Sequence, residues 1–213
     1  FSTVRSPNPE DKAALTIAIE KAKDIGADLV LGTDPDCDRV GIAVNVGDDY
    51  QLLSGNDVGV LLLEYILSQK TALKTLPKNP VAVKTIVTTE LCSKVTENYG
   101  CQLINVLTGF KFIGEQIALL EEKGEEERYI LGFEESYGYL SGGYVRDKDA
   151  VVASMLICEM TAYYKTQGKT LIDVLNELYE KYGYYRCTQK GFNCEGQSGM
   201  ARIKEIMEHI YNI

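Results

Sequence analysis

A single histidine, His209, stands among 213 residues, and it lies close to the end of the chain. That scarcity excludes a Ser-His or Cys-His catalytic centre built within the core, and any histidine-rich zinc site. The six cysteines (Cys37, Cys92, Cys101, Cys158, Cys187 and Cys194) form no C-x-x-C pair and no close framework. Several sit in apolar stretches, where a thiol behaves as a small hydrophobe, so a reduced, cytoplasmic setting is expected. No apolar run approaches the roughly 20 residues of a membrane helix, so a soluble protein without a membrane partner is expected. Basic residues are outnumbered, 22 against 31 acidic for a net charge of -9. This argues against a general nucleic-acid surface. Phe1 is no initiator methionine and no signal-peptide pattern follows it, so an excised piece or processed product is expected.

What is present is an ordinary globular mixture, 45% apolar and 25% charged. At roughly 100–200 residues per domain, the length fits one full domain and a part. Asn8-Pro9 is expected to cap a helix with the apolar face Leu15, Ile17, Ala18, Ile19 and Ala22, closed by Gly26. Strands over 27–32 and 40–46 follow, joined by an acidic stretch. The pattern then alternates: a helix over 57–73 capped by Asn56, a strand over 81–87, a helix over 89–99 and a strand over 102–107. A helix to Gly124, a strand over 129–133, a helix over 149–166 and a helix from Thr170 to Gly183 complete it. Such alternation predicts an α/β fold: a mixed, mostly parallel sheet with helices on both faces, plus a partial neighbouring α/β unit. After Gly183 a strand over 184–193 and a helix capped by Ser198 are expected.

In sheets of this kind ligands bind beyond the carboxyl ends of the strands. Asp34-Pro35-Asp36-Cys37-Asp38-Arg39 sets three carboxylates at alternate positions directly after a strand. Crowded carboxylates repel, and an all-oxygen set without histidine favours Mg²⁺ or Ca²⁺ over zinc. The EF-hand pattern fails, because Arg39 and Asn45 occupy the positions that need glycine and glutamate. A solvated acidic turn is the plain alternative. Gly132-Phe133-Glu134-Glu135-Ser136-Tyr137-Gly138 offers carboxylates and a hydroxyl suited to sugar hydroxyls. The two glutamates are adjacent and face opposite ways, so they are poorly placed as a glycosidase pair. A purely structural turn fits this motif equally. Thr108-Gly109-Phe110-Lys111 opens a helix and presents free backbone N–H groups, although a simple cap explains it too. Arg146 and Lys148 precede Asp149, the expected N-cap of the next helix, either as an anion site or as solvated charges.

Together these motifs resemble the α-D-phosphohexomutase superfamily, the phosphoglucomutases and phosphomannomutases. The resemblance rests on Thr33–Arg39, on Leu107–Gly114 and on Gly132–Gly138, in matching order and spacing. It implies the end of a second domain over 1–48, a third domain over 49–185, and a linker or start of a fourth over 186–213. It further implies Mg²⁺ held by Asp34, Asp36 and Asp38, with a phosphoserine oxygen from a first domain that this chain lacks. Glu134 and Ser136 would meet sugar hydroxyls, with Thr108 and Gly109 close by. Arg39 and Lys148 would be the active-site cations. The implied reaction interconverts hexose 1-phosphate and hexose 6-phosphate, with glucose favoured over mannose. The implied partners are the hexose phosphate and the missing domains of the parent chain, and the piece alone would not turn over. A non-catalytic Mg²⁺ and phosphosugar binder, or a structural Ca²⁺ domain, are the competing readings.

Overall fold

The computed structural model describes residues 2–188 and 194–212. Its first unit is the helix α1, Lys12–Ile25, packed on an antiparallel sheet of β1 (Leu29–Thr33), β2 (Val40–Asn45) and β3 (Tyr50–Leu53). The cap of α1 is Asp11, whose carboxylate accepts from the N–H of Ala13, and not Asn8. Asn8 instead accepts the N–H of Glu10 and closes a turn of its own. The strand β3 was not expected from the sequence. Only four residues long, it follows Asp48-Asp49 and pairs with β2 from Asn45↔Tyr50 to Ile42↔Leu53.

The second sheet runs in the order β5-β4-β6-β7, from β4 (Val81–Thr85), β5 (Gln102–Val106), β6 (Tyr129–Phe133) and β7 (Tyr139–Leu140). The central strand β4 is parallel to β5 and β6, and β7 returns antiparallel beside β6. This is the mixed, mostly parallel sheet that the alternation predicts. On one face α4 (Phe110–Glu121) covers Val81 and Val83, with Ile113 and Ile117 fully buried. On the other lie α2 (Gly55–Ala72) and α3 (Leu91–Asn98), with α5 (Ala150–Lys165) and α6 (Leu171–Tyr182) behind them.

Between Val58 and Leu67 the helix α2 is buried on every side and apolar except for Glu64, whose carboxylate is met by the Tyr99 and Tyr182 hydroxyls. Leu61, Leu62, Leu63 and Leu67 are each fully buried, and each contributes on the order of 1.5–3 kcal/mol by leaving water. Its core continues into Val40, Ile42, Val44 and Leu53 of the first sheet, so the two sheets share one interior. The start of α2 is fixed by a capping box in which Ser54 and Asp57 exchange hydrogen bonds. Ser54, and not Asn56, is therefore the cap; the Asn56 amide oxygen accepts from the N–H of Thr89 instead. Asp149 and Thr170 cap α5 and α6 as the sequence predicts.

The last helix, α7 (Gly196–Tyr211), follows Glu195, and Ser198 lies inside it rather than at its cap. Of the strand expected over 184–193, residues 184–188 form no strand, and the rest lie outside the described residues. No described helix is long and apolar enough to cross a membrane.

Candidate functional site

The acidic loop leaves β1 and returns into β2 within seven residues, because Cys37 takes the left-handed conformation, φ 60°. The turn is closed by the Cys37 N–H on the Asp34 carbonyl, 3.1 Å, and the Asp34 N–H on the Arg39 carbonyl, 3.2 Å. Asp34 is buried and accepts three hydrogen bonds. Its Oδ1 accepts the N–H groups of Asp38 and Arg39, and its Oδ2 accepts Arg39 Nε at 2.8 Å. Burial works against the charged form of Asp34, but the Arg39 backbone and guanidinium outweigh it and hold the carboxyl below its ordinary value. Asp38 moves the other way, raised by burial and by Asp34 beside it, despite an ion pair with Lys148.

One oxygen from each of Asp34, Asp36 and Asp38 lies within 4.8 Å of the others. Each carboxylate oxygen has two lone pairs, so even the hydrogen-bonded Asp34 keeps capacity for a ligand. An all-carboxylate cluster of this size fits a hard divalent cation such as Mg²⁺. Two protein cations already answer part of the charge. Arg39 spans Asp34 and Glu10, the latter at 3.2 Å, and Lys148 Nζ lies 2.8 Å from Asp38 Oδ2. Arg146 does not join them, since it pairs with Glu121 and the Gly143 carbonyl.

The loop between β6 and β7 is stitched to the acidic loop. Arg39 and Gly138 form an antiparallel bridge, and the Val40 N–H donates to the Tyr137 carbonyl at 3.1 Å. The first helical N–H of α5, on Ala150, donates to the Cys37 carbonyl, 3.1 Å. Tyr137 is the second left-handed non-glycine residue here, φ 68°. At Gly55, the first residue of α2, a Cβ would collide with the Glu135 carbonyl oxygen, so only glycine lets the loop lie this close.

Glu134 and Glu135 diverge, as adjacent residues after a strand should. Glu134 is buried, 5% exposed, and its Oε1 accepts the N–H of Gly109 at 2.8 Å at the head of α4. Burial raises its pKa, against the pull of that N–H and of Lys148. Glu135 turns to the hydroxyls of Thr85 and Thr88. Ser136 sits half-buried at the bend, and Thr108 is exposed. Thr108, Glu135 and Tyr137 border a cleft of about 600 Å³ with Glu10, Ser54 and Asn56. Lys111 lies over the Phe112 ring, 4.9 Å from its centroid. Lys148 reaches the Phe110 ring at 5.7 Å while holding Asp38, which places it between the two loops.

The structure thus sets the acidic loop beside the Glu134 loop and adds supports that the motifs do not include. Glu10 and Asn8, 3.2 and 3.4 Å from Arg39, carried no signal beyond an Asn-Pro-Glu turn. Lys84 was visible only as a lone charge inside the apolar strand Val81–Thr85.

Residues 54–182 match the family model of phosphoglucomutase/phosphomannomutase alpha/beta/alpha domain III, and residues 1–47 match that of domain II. The chain is 39% identical over 210 residues to a phosphoglucomutase of Staphylococcus aureus strain MRSA252, covering 98% of the chain. It is 35% identical over 211 residues to one of Staphylococcus haemolyticus, covering 99%. In both cases the chain spans only 37% of the relative's length. Among solved structures, parafusin, a phosphoglucomutase of Paramecium, superposes with a TM-score of 0.62 at 22% identity, covering 84% of this chain and 30% of that one. A phosphoglucomutase/phosphomannomutase family protein of Burkholderia thailandensis superposes with a TM-score of 0.61 at 20% identity, covering 81% and 33%.

Proposed function

The chain belongs to the α-D-phosphohexomutase superfamily of phosphoglucomutases and phosphomannomutases, and on that premise we propose that it is the metal- and sugar-binding part of a Mg²⁺-dependent hexose phosphate mutase. The parent reaction interconverts hexose 1-phosphate and hexose 6-phosphate, with glucose favoured over mannose because the full-length relatives at 35–39% identity are phosphoglucomutases. In this reading residues 1–48 end a second domain, 49–185 form a third, and 186–213 lead into a fourth. The phosphoserine lies outside these 213 residues, so the chain alone binds without turning over.

The observation that carries the proposal is the seam between the loops: the Asp34, Asp36 and Asp38 cluster is backbone-bonded, through Arg39 and Gly138, to the loop that bears Glu134 and Ser136. Bound Mg²⁺ would neutralise charge on a transferring phosphoryl group. Asp34, Asp36 and Asp38 would hold it. Arg39, fixed by Asp34 and Glu10, and Lys148, between Asp38 and the Phe110 ring, direct positive charge into the same space. Lys148 has its pKa raised: burial lowers it, but Asp38 and Asp147 more than offset that, so it enters the site as a cation. Glu134 and Ser136 receive sugar hydroxyls from one side, which suits a substrate that must be accepted in either direction.

Titration calorimetry of the chain tests this. Mg²⁺ binds, Asp36→Asn removes most of that affinity, and glucose 1-phosphate binds the Mg²⁺-loaded chain but not its Glu134→Ala variant. Unchanged Mg²⁺ binding by Asp36→Asn refutes the metal assignment. A Ca²⁺ preference with no response to sugar phosphate replaces the reading by that of a structural calcium domain.

A further inference from the structure

We propose that Glu135 is a positioning residue, clamped by the turn Thr85–Thr88 so that its neighbour Glu134 is delivered to the head of α4. The proposal rests on the reading of Glu134 as a sugar ligand only in what is being positioned; the clamp itself is geometric.

Lys84 is where the clamp begins. Its side chain is 0% exposed, on the central strand of the sheet. A buried ammonium is costly unless every proton is matched. Here the three protons meet three acceptors: the carbonyls of Thr85 and Thr88 at 3.2 and 3.0 Å, and Glu90 Oε1 at 2.8 Å. Lys84 thus reaches forward over the carboxyl end of its own strand and ties down the turn that follows it. The Thr88 N–H on the Thr85 carbonyl, 3.1 Å, closes that turn. Ser93 holds Glu90 from the other side, 2.9 Å, and that contact with Lys84 and Ser93 keeps the Glu90 carboxyl below its ordinary value.

The fixed turn presents two hydroxyls from buried positions. Thr85 Oγ1 and Thr88 Oγ1 lie 2.7 Å apart, and 3.1 and 3.3 Å from Glu135 Oε2. Each hydroxyl carries one proton, so one donates to Glu135 while the other donates to its neighbour or to the same oxygen. Glu135 is therefore gripped in either arrangement. Because adjacent side chains diverge, fixing Glu135 toward β4 fixes Glu134 toward Gly109. The contact of the Glu135 carbonyl with Gly55 leaves the backbone between them no room to roll. None of Lys84, Thr85 and Thr88 is needed for the core: apolar residues would fill those buried places without the cost of desolvating a charge.

The readout is amide hydrogen exchange of the ¹⁵N-labelled chain, followed at Gly109. Glu135→Ala should speed exchange at Gly109 about tenfold or more, with amides of β1 and β2 unchanged, since only a local opening is involved. Glu135→Gln should restore most of the protection, because its carbonyl still accepts from the threonines. Thr88→Val should reproduce a smaller version, and it keeps the test open if Glu135→Ala folds poorly. Unchanged exchange at Gly109 in Glu135→Ala, or a uniform rise at every amide, overturns the proposal. Glucose 1-phosphate added with Mg²⁺ separates the two claims. No binding by the wild-type chain removes the sugar reading and leaves the Gly109 test intact. Binding that Glu135→Ala does not weaken overturns the positioning role itself.

Discussion

The two loops of the site solve the same problem in opposite ways. Each follows a strand, each turns on a left-handed non-glycine residue, and each carries buried acid. In the acidic loop the charge is concentrated within five residues and is answered by side-chain cations, Arg39 and Lys148. In the Glu134 loop it is divided. One carboxylate goes to a backbone N–H of α4, the other to hydroxyls at the end of β4. The first arrangement leaves an excess of negative charge for a divalent ion to settle. The second directs its two carboxylates to neutral donors in separate places, so it gathers no cluster for a cation and offers acceptors suited to hydroxyl groups. The contrast lies in how each carboxylate is paired, with cations in one loop and with neutral donors in the other.

Asp34→Asn should break the comparison most severely. It loses a carboxylate with three charge-assisted or buried hydrogen bonds, and the expected cost in urea unfolding is about 2–4 kcal/mol, along with all Mg²⁺ response. Lys148→Met should come next. Without its cation, Asp38 is left among like charges, and metal-free stability should fall by about 1–2 kcal/mol. Added Mg²⁺ should then raise the melting temperature more than it does in the wild type, because Lys148 no longer competes for Asp38 Oδ2. An equal Mg²⁺ response in both proteins would show that the lysine and the ion do not share that oxygen.

How far the sequence carried these loops differs in the same way. Asp34, Asp36 and Asp38 are local, and their crowding is visible without any fold. The partners of Glu134 and Glu135 come from 25 and about 50 residues away, so only the assembled sheet brings them together. The same distinction runs through the fold. The α/β alternation and the caps Asp149 and Thr170 were legible, because they are set by neighbours in the chain. Asn8, Asn56 and Ser198 are good cap residues that lost to nearby positions. Ser54 won over Asn56 because Asp57 completes a reciprocal pair with it. The strand Tyr50–Leu53 owes its existence to β2 rather than to its own four residues.

A subtler test concerns pH. The Glu134 carboxyl has its pKa raised by burial, so folding penalises its charged form. That penalty is absent well below the ordinary carboxylate value, grows as pH rises through it, and is complete above the raised value. Glu134→Gln should therefore melt a few degrees higher than the wild type near pH 7, with the gain vanishing by about pH 4. A gain that persists in acid would place its origin in packing rather than in charge.

The smallest effect is expected at the turn residues. Cys37→Gly relieves a left-handed conformation that costs a side chain on the order of 1 kcal/mol, gives up only a small half-buried thiol at the edge of the main core, and should raise stability by about 0.5 kcal/mol or less. Tyr137→Gly gains the same relief but gives up a ring packed against the main core, and should come out destabilised. If both variants behave alike, the two bends differ less than their surroundings suggest.

The bridge between Arg39 and Gly138 joins positions about a hundred residues apart in the chain, and closures of such span come late because their entropy is lost before any contact is gained. The strands and helices on either side can pair with near neighbours first. Folding of this chain should then pass through a stage in which both sheets are formed while the acidic loop and the Glu134 loop still move independently, so that the seam between them closes in the final kinetic phase.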